Sequence, residues 1–468
     1  MGRTGTSLGG GGSSAAADIK IGSTDYEVKA GNFNAKQNAY KDFKIGTEHE
    51  KFAFYFRNNK PVPFEGNNGI EALLLSLKKF GWESILEDKK TIGLKRAKNL
   101  GGGTITLEPA GQIELSGAPL KNIHETYEEL SEHKRQVDEV GNELGIGFLG
   151  AGLTPDWSLE EMPIMPKNRY QIMKNYMPKK GNLGHNMMFR STTIQVNLDY
   201  SSESDMVKKF RTSMALQPIA TAIFSNSPFL DGNLNGFKSY RSEIWTDTDP
   251  DRTGFLPFIF EDSMGYEQYI DYALKVPMYF IYRDGKYIDV AGKSFETFLE
   301  GNLDEISEKP TYLDWENHLT TIFPEVRLKS FLEMRGADGG AFENVCSLSA
   351  FWVGLLYDED SLNTADDLIK DWSLDKLYSL RFNAAKYGLE AKIDGADLLN
   401  LSRKVFEISR DGLKRRNILN SESKNEDVYL NPVKSFLENG KSPSDELIEK
   451  FSNNWDKKVV NMYKEYTF

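Results

Sequence analysis

With one cysteine in 468 residues, Cys346, the chain can form neither an internal disulfide nor a cysteine-based metal cage. A reducing compartment is the simple reading of that shortage. Long hydrophobic runs are missing as well. The longest apolar stretch, 346–357 (CSLSAFWVGLLY), is too short to span a bilayer and reads as a buried helix. Cys346 opens that helix with no histidine close in sequence, which argues against a cysteine nucleophile. Basic charge is in deficit. Against 69 Asp and Glu stand 57 Lys and Arg, a net charge of -12, which speaks against a nucleic-acid surface. Neither GxxxxGK[ST] nor GxGxxG after a strand occurs, so the common phosphate-loop and dinucleotide motifs are excluded. The first 20 residues are rich in Gly, Ser and Ala and lack the apolar core of a signal peptide. They read as a flexible leader or appended tail, with a transit-peptide remnant as the other reading.

What is present describes a soluble α+β protein, since 39% hydrophobic and 27% charged residues are ordinary for one. Residues 40–57 read as a strand, 68–80 as an amphipathic helix, and TITLEP and GQIELSG as strands joined by a Pro-Ala-Gly turn at 109–111. A charged helix follows over 120–145, an alternating strand over 192–200 and a further helix over 203–224. VPMYFIYRDGKYIDV predicts a hairpin turning at Asp284-Gly285. From about 346 the pattern turns helical. The expected organisation is a catalytic α+β body over 21–345 and a helical region over 346–468 packed on the same body.

Carboxylates recur in the strand-like stretches: Glu48 and Glu50 in KIGTEHEKFAF, Glu108 in TITLEP, Glu114 in GQIELSG and Glu333 in SFLEMRGADGG. Strand residues two apart share a face, so Glu48 and Glu50 point one way, as do Gln112 and Glu114, and Glu333 and Arg335. Acids backed by an apolar face are costly unless cations meet them, and a group of hard divalent ions holding a phosphate-bearing substrate would do so. The competing reading of Glu48-His49-Glu50 is charge on an edge strand. Phe52, Phe54 and Phe56 weigh against it by continuing the strand as a core element. His49 points the opposite way and reads as a packed or hydrogen-bonded histidine. The turn between Glu108 and Glu114 does not force them together. Gln195 and Asn197 suit either a nucleotide or metal-bound water, or a satisfied internal polar face. Arg169, Lys179, Arg190, Arg241, Arg252 and Arg335 lie in structured segments, where each fits a salt bridge or an oxyanion contact. GADGG at 336–340 suits either a close backbone approach to a ligand or a plain turn.

Seven blocks of this sequence, KIGTEHEKFAF, LEPAGQIELSGAP, MPKNRYQIMKNYMPKKG, TTIQVNLDYSSESDMVKKFR, SYRSEIWTDTDPDRTG, DWENHLTTIFPEVRLKSFLEMRGADGG and SLSAFWVGLLYDED, resemble the plant and proteobacterial type of glutamate–cysteine ligase. The resemblance runs from about residue 30 to the end. It implies a glutamine-synthetase-like fold, an antiparallel sheet forming an open half-barrel with helices around it. It also implies ATP- and magnesium-dependent joining of the glutamate γ-carboxylate to the cysteine amine, the first step of glutathione synthesis. On that footing Glu48, Glu50, Glu108, Glu114 and Glu333 are expected to hold two or more Mg2+, with Glu50 and Arg335 in the catalytic step. Arg335 is expected against the transferring phosphate, Arg169 and Arg241 on substrate carboxylates, and Gln195 and Asn197 near metal or nucleotide. The alternative is a γ-glutamyl ligase with another amine acceptor. Expected partners are small molecules only (glutamate, cysteine and ATP), with no nucleic acid or membrane. A cytoplasmic monomer or homodimer is expected, with a plastid as the alternative. Plant members carry regulatory cysteine pairs, and Tyr127 and Ala291 stand where two of those cysteines would be. AFENVC at 341–346 also departs from the family pattern.

Overall fold

The computed structural model describes residues 42–393 and 395–468, so the expected leader at 1–20 lies outside the described residues. The alternating stretch around Glu48 forms the long strand β1, Ile45–Tyr55. Helix α1 (Ile70–Leu77) follows, burying Ile70, Leu73, Leu74 and Leu77 at the spacing of one helical stripe. Strands β2 (Glu83–Glu87), β3 (Lys90–Lys95), β4 (Thr104–Leu107) and β5 (Ile113–Ser116) come next. Helix α2 (Ile123–Leu144) starts at Asn122, whose side chain accepts from Glu125 N, and stops at Gly145 in the left-handed region (φ +72°). Then come β6 (Ile146–Leu149), α3 (Asn168–Tyr176), α4 (Gly184–Arg190), β7 (Thr193–Leu198), α5 (Glu203–Ile223) and α6 (Tyr240–Thr246). A hairpin of β8 (Phe280–Arg283) and β9 (Lys286–Asp289) turns at Asp284-Gly285, both residues with positive φ as such a turn requires. Strands β10 (Val326–Leu328) and β11 (Leu332–Asp338) precede the helices α7 (Phe342–Leu356), α8 (Glu359–Ile369), α9 (Leu374–Tyr387) and α10 (Leu398–Arg416).

Among the described residues the main sheet has nine strands in the order β10-β11-β7-β1-β5-β4-β3-β2, with β6 on the far half of β1. Every pairing in it is antiparallel. The α+β antiparallel reading therefore holds. Four strands were not foreseen: β2, β3, β6 and β10. Three of them place charge or glycine where an alternating apolar pattern would be sought, and β10 is three residues long. GADGG also differs from a turn, because Gly336, Ala337 and Asp338 still belong to β11. A Cβ on Gly336 would come within 2.3 Å of Gln217 Oε1, and one on Gly339 within 2.1 Å of Thr192 Oγ1. These two glycines permit close packing on α5 and β7.

Odd-numbered residues of β1 face α2 and α7. Thr47 Oγ1 and Ser349 Oγ of α7 are 2.8 Å apart, and His49 stacks on Phe468 with ring centroids 5.0 Å apart. Helix α7 is buried from Asn344 to Leu356 and packs between β1, β7, α2 and α10. Each large apolar side chain it buries is worth roughly 1.5–3 kcal/mol, so the C-terminal helices form part of the main core. The other face of the sheet is left for chemistry.

Candidate active site

Register brings the expected acids together. Glu50 lies directly opposite Glu114, and Glu114 opposite Thr106. One step along, Glu48 lies between Gln195 and Ser116. One step further, Asn197 faces Glu333, and Glu333 faces Arg327. Glu108 sits where β4 ends. The turn after it closes through Gly111 N donating to Glu108 O at 2.9 Å, with Gly111 at φ +84° where a side chain would be strained. Gln112 pins this turn, accepting from Ala110 N and donating to Met188 O in α4 and to Ser191 O just after it.

An open cleft lies over this part of the sheet, lined by Glu48, Glu50, Glu108, Glu114, Arg169 and Arg241, together with Gln195, Arg327, Lys329 and Arg335. Arg169 reaches it because Lys167 Nζ and Tyr170 OH both donate to Leu107 O, tying the start of α3 to the end of β4. Arg241 reaches it from α6, whose N-cap Ser239 donates its hydroxyl to Asp338 Oδ1 at 2.7 Å. Asp338 also accepts from Asn226 N and Ser227 Oγ, so the end of β11 anchors two connecting loops. Phe280, Phe323, Trp245, Met173, Met187 and Met188 supply the apolar walls.

The electrostatics divide the cleft in two. On the acidic floor, burial first and then Glu333 and Glu114 push Glu48 up to about 7. Burial, Glu108 and Glu114 hold Glu50 well above the usual carboxylate range, and burial with Glu108 raises Glu114. Hydrogen bonds offset part of this: Glu48 Oε1 accepts from Asn197 Nδ2 at 2.8 Å, Glu50 Oε2 from Thr193 N at 3.1 Å, and Glu114 from Thr106 and Ser116. At the basic end, burial would raise Glu333, but Arg327, Lys329 and Arg335 outweigh it and hold the group well below its ordinary value. Glu333 Oε2 lies 2.6 Å from Arg327 Nε and 2.8 Å from Arg335 Nη1, while Oε1 lies 3.4 Å from Lys329 Nζ. Glu333 therefore sits beneath the cleft as a counter-ion to three cations. Arg335 Nη1 also donates to Gln195 Oε1 at 2.9 Å.

Among the buried polar atoms without a hydrogen-bond partner in the described residues, which occur in other parts of the fold as well, are Arg169 Nε, Arg241 Nε, Trp245 Nε1 and Asn197 Oδ1. Such atoms are rare in native interiors, and three of these belong to residues lining the cleft. Among the described residues no three acids, histidines or cysteines stand close enough together to hold a metal ion as they are placed. The floor nonetheless suits one. Its donors are all oxygen, the preference of hard divalent cations, and its carboxylates repel one another in a way that a cation relieves.

Arg327 and Lys329 escaped the sequence reading. Both lie at or beside a three-residue edge strand in EVRLKS, whose charge resembles any solvated edge. The signal that could have found them is spacing, since Arg327 and Lys329 share a face, Glu333 and Arg335 share a face, and pairing across the short turn makes the two faces one. Of the other singled-out cations, Arg190 pairs with Asp231 and Arg252 with Asp249, and Lys179 is exposed.

The family model described as glutamate–cysteine ligase family 2 matches residues 44–465. The chloroplastic glutamate–cysteine ligase of Medicago truncatula is 50% identical over 428 residues, 91% of this chain and 82% of that one. The counterpart in Arabidopsis thaliana is 51% identical over 428 residues, 91% of this chain and 80% of that one. Among solved structures, the glutamate–cysteine ligase of Francisella tularensis in complex with AMP aligns with a TM-score of 0.53 and 13% identity, covering 91% of this chain and 89% of that one. A bifunctional glutathione synthetase from Pasteurella multocida aligns with a TM-score of 0.52 and 12% identity over 94% of this chain, which spans 53% of that protein. At such identities the structural likeness is one of fold.

Proposed function

The chain belongs to glutamate–cysteine ligase family 2, and from that membership we infer that it joins the γ-carboxylate of glutamate to the amine of cysteine at the expense of ATP, the first step of glutathione synthesis. A carboxylate does not condense with an amine at neutral pH without a leaving group. A γ-carboxylate oxygen attacks the γ-phosphorus of ATP, and ADP departs. The amine then attacks the acyl carbon of the γ-glutamyl phosphate, inorganic phosphate departs, and the amine gives up its proton.

The observation that carries this reading is the juxtaposition of an acid floor with a basic end across adjacent strands of one sheet. Polyphosphate and carboxylate meet there without net repulsion. Glu48, Glu50, Glu108 and Glu114 would hold two or more magnesium ions, and Glu333 would complete the set by releasing one of its cations to substrate. The ions supply charge neutralisation for the nucleotide phosphates. Arg335 lies against the phosphoryl group in flight, and Glu50 holds the carboxylate side of the reacting centre. Arg169 and Arg241, each with an unspent Nε donor, grip the carboxylates of the two amino acids. Gln195 orients Arg335, and Asn197 offers its Oδ1 toward metal or metal-bound water. Small molecules are the partners of such a cleft. No helix among the described residues is long and apolar enough to cross a membrane. We place the enzyme in the cytoplasm as a monomer or homodimer, with a plastid as the alternative that the chloroplastic relatives suggest. Imaging of a tagged chain and light scattering decide these two points.

The test is phosphate release from Mg·ATP with glutamate, using cysteine, 2-aminobutyrate, unrelated amines and no amine. Release that depends on cysteine or 2-aminobutyrate is expected. Release with an unrelated amine only would select a different γ-glutamyl ligase, and no release under any condition would overturn the ligase reading.

A further inference from the structure

The basic end of the cleft gathers three cations around a single carboxylate, and their hydrogen-bonding capacity is unequally spent. Arg327 donates from Nε to Glu333 at 2.6 Å and from Nη1 to Thr320 O at 2.8 Å and Ile322 O at 3.2 Å. It is committed to the wall. Arg335 Nη1 serves Gln195 and Glu333. Lys329, by contrast, has one hydrogen-bond acceptor among the described residues, Glu333 Oε1 at 3.4 Å, with the Phe331 ring centre 5.5 Å from its Nζ, and its side chain is only 13% exposed while lining the cleft. An ammonium carries three donors, and a charge this buried is normally met by more than one long contact. Lys329 and Arg335 occupy the two oxygens of the same carboxylate. Two cations side by side on one face match two neighbouring phosphates better than one.

We propose that Lys329 is a catalytic residue that holds the phosphate next to the one transferred, as a point charge on the departing diphosphate, while Arg327 positions it by fixing Glu333. The proposal rests on the ligase reading above. When the γ-phosphorus passes to the glutamate oxygen, its bond to the bridging oxygen breaks and the electron pair stays on that oxygen. The Lys329 ammonium meets this developing charge and keeps its own protons. Its weak hold on Glu333 leaves it able to turn to the nucleotide without breaking a tight ion pair.

Steady-state kinetics of Lys329→Gln and Lys329→Arg, with ATP and glutamate varied separately, test the assignment beside calorimetry of Mg·ADP binding and circular dichroism. Lys329→Gln should raise the KM for ATP, lower kcat and weaken Mg·ADP binding, each by ~10- to 100-fold for the loss of a charge-assisted contact, with the KM for glutamate within about twofold. Lys329→Arg keeps the charge and should recover most of the ADP affinity, so it serves as the decisive variant if the glutamine form does not fold. Wild-type ATP parameters in Lys329→Gln, equal losses toward both substrates, or an ADP affinity in Lys329→Arg no better than in Lys329→Gln would overturn the proposal. If the wild-type enzyme releases no phosphate with any amine, the ligase reading fails by itself. ADP binding then still decides Lys329.

Discussion

Glu50 and Glu333 illustrate how two residues of one type, on strands that flank β7 in one sheet, respond oppositely to the same substitution. Glu50 stands opposite Glu114 with Glu108 nearby, so its charge is repelled by its surroundings. Like charges directly opposite in a sheet destabilise it. Glu333 is the only carboxylate among the described residues that Arg327, Lys329 and Arg335 share as an ion-pair partner. Removing one partner of a buried charge cluster is costly, about 3–5 kcal/mol. We therefore expect Glu50→Gln to lower turnover by orders of magnitude while its urea midpoint stays at or above that of wild type. Glu333→Gln should lose both activity and several kcal/mol of stability by the same denaturation measurement. Cys346 is the other residue with a clear expectation. It is buried in α7, and burial pushes its thiol up, away from the reactive thiolate form. With no second cysteine in the chain, activity assayed with and without dithiothreitol should agree closely. A several-fold change would contradict that.

The same floor makes a prediction about pH. Glu48 is pushed up to about 7, and Glu50 is held well above the usual carboxylate range. The folded protein thus binds more protons than the unfolded chain between the ordinary glutamate range near 4.5 and about 7. Stability from these groups is complete below that range and is lost as pH rises through the folded value. A divalent cation that replaces those protons restores it. The gain in Tm on adding Mg2+ should therefore be larger at pH 8 than at pH 6. A gain that shrinks with rising pH would count against a cation on this floor.

At the scale of elements, legibility followed pattern length. β7 alternates cleanly over six residues and its two faces are legible, as is the shared face of Glu48 and Glu50 in β1, but β1 ends at Tyr55 and Phe56 is half exposed where a core position is expected. Glu108 and Glu114 rest more on resemblance, because a turn breaks the period, and it is the β4–β5 ladder with the Gln112 and Gly111 contacts that brings them together. β10 was illegible for a physical reason. Three residues cannot display a period, so the charges it brings to the cleft looked like edge solvation. Arg252 was read as an open choice between salt bridge and oxyanion site, and it is a clamp. Its Nε meets Asp249 Oδ2 at 2.6 Å, Nη1 meets Thr321 O at 3.1 Å, Nη2 meets Pro277 O at 2.7 Å, and its guanidinium lies 3.8 Å from the Tyr279 ring centre. It joins the loops that carry Phe280, Thr321 and Phe323 into the cleft wall. Arg252→Met should cost about 3–5 kcal/mol in denaturant unfolding, and Asp249→Leu in the same chain should recover part of that by removing the stranded acid.

For the whole molecule, a net charge of -12 coexists with a cleft rich in cations because Arg327, Lys329 and Arg335 from the sheet and Arg169 and Arg241 from α3 and α6 converge on it. A single buried apolar cluster runs from Phe43 to Phe468 and takes in α7, α8, α9 and α10. We propose that 346–468 folds with the body before it as one cooperative unit. Thermal transitions followed by far-ultraviolet circular dichroism and by tryptophan fluorescence should then coincide. A separate early transition would argue for an independent helical domain.

The central claim is that this cleft activates a γ-carboxylate by phosphorylating it, and oxygen transfer reports that step directly. With glutamate labelled by 18O in the γ-carboxylate, plus cysteine and Mg·ATP, the phosphate released should carry one 18O atom per turnover, read by mass spectrometry. Unlabelled phosphate formed together with the γ-glutamyl product would contradict an acyl phosphate and the account built on it.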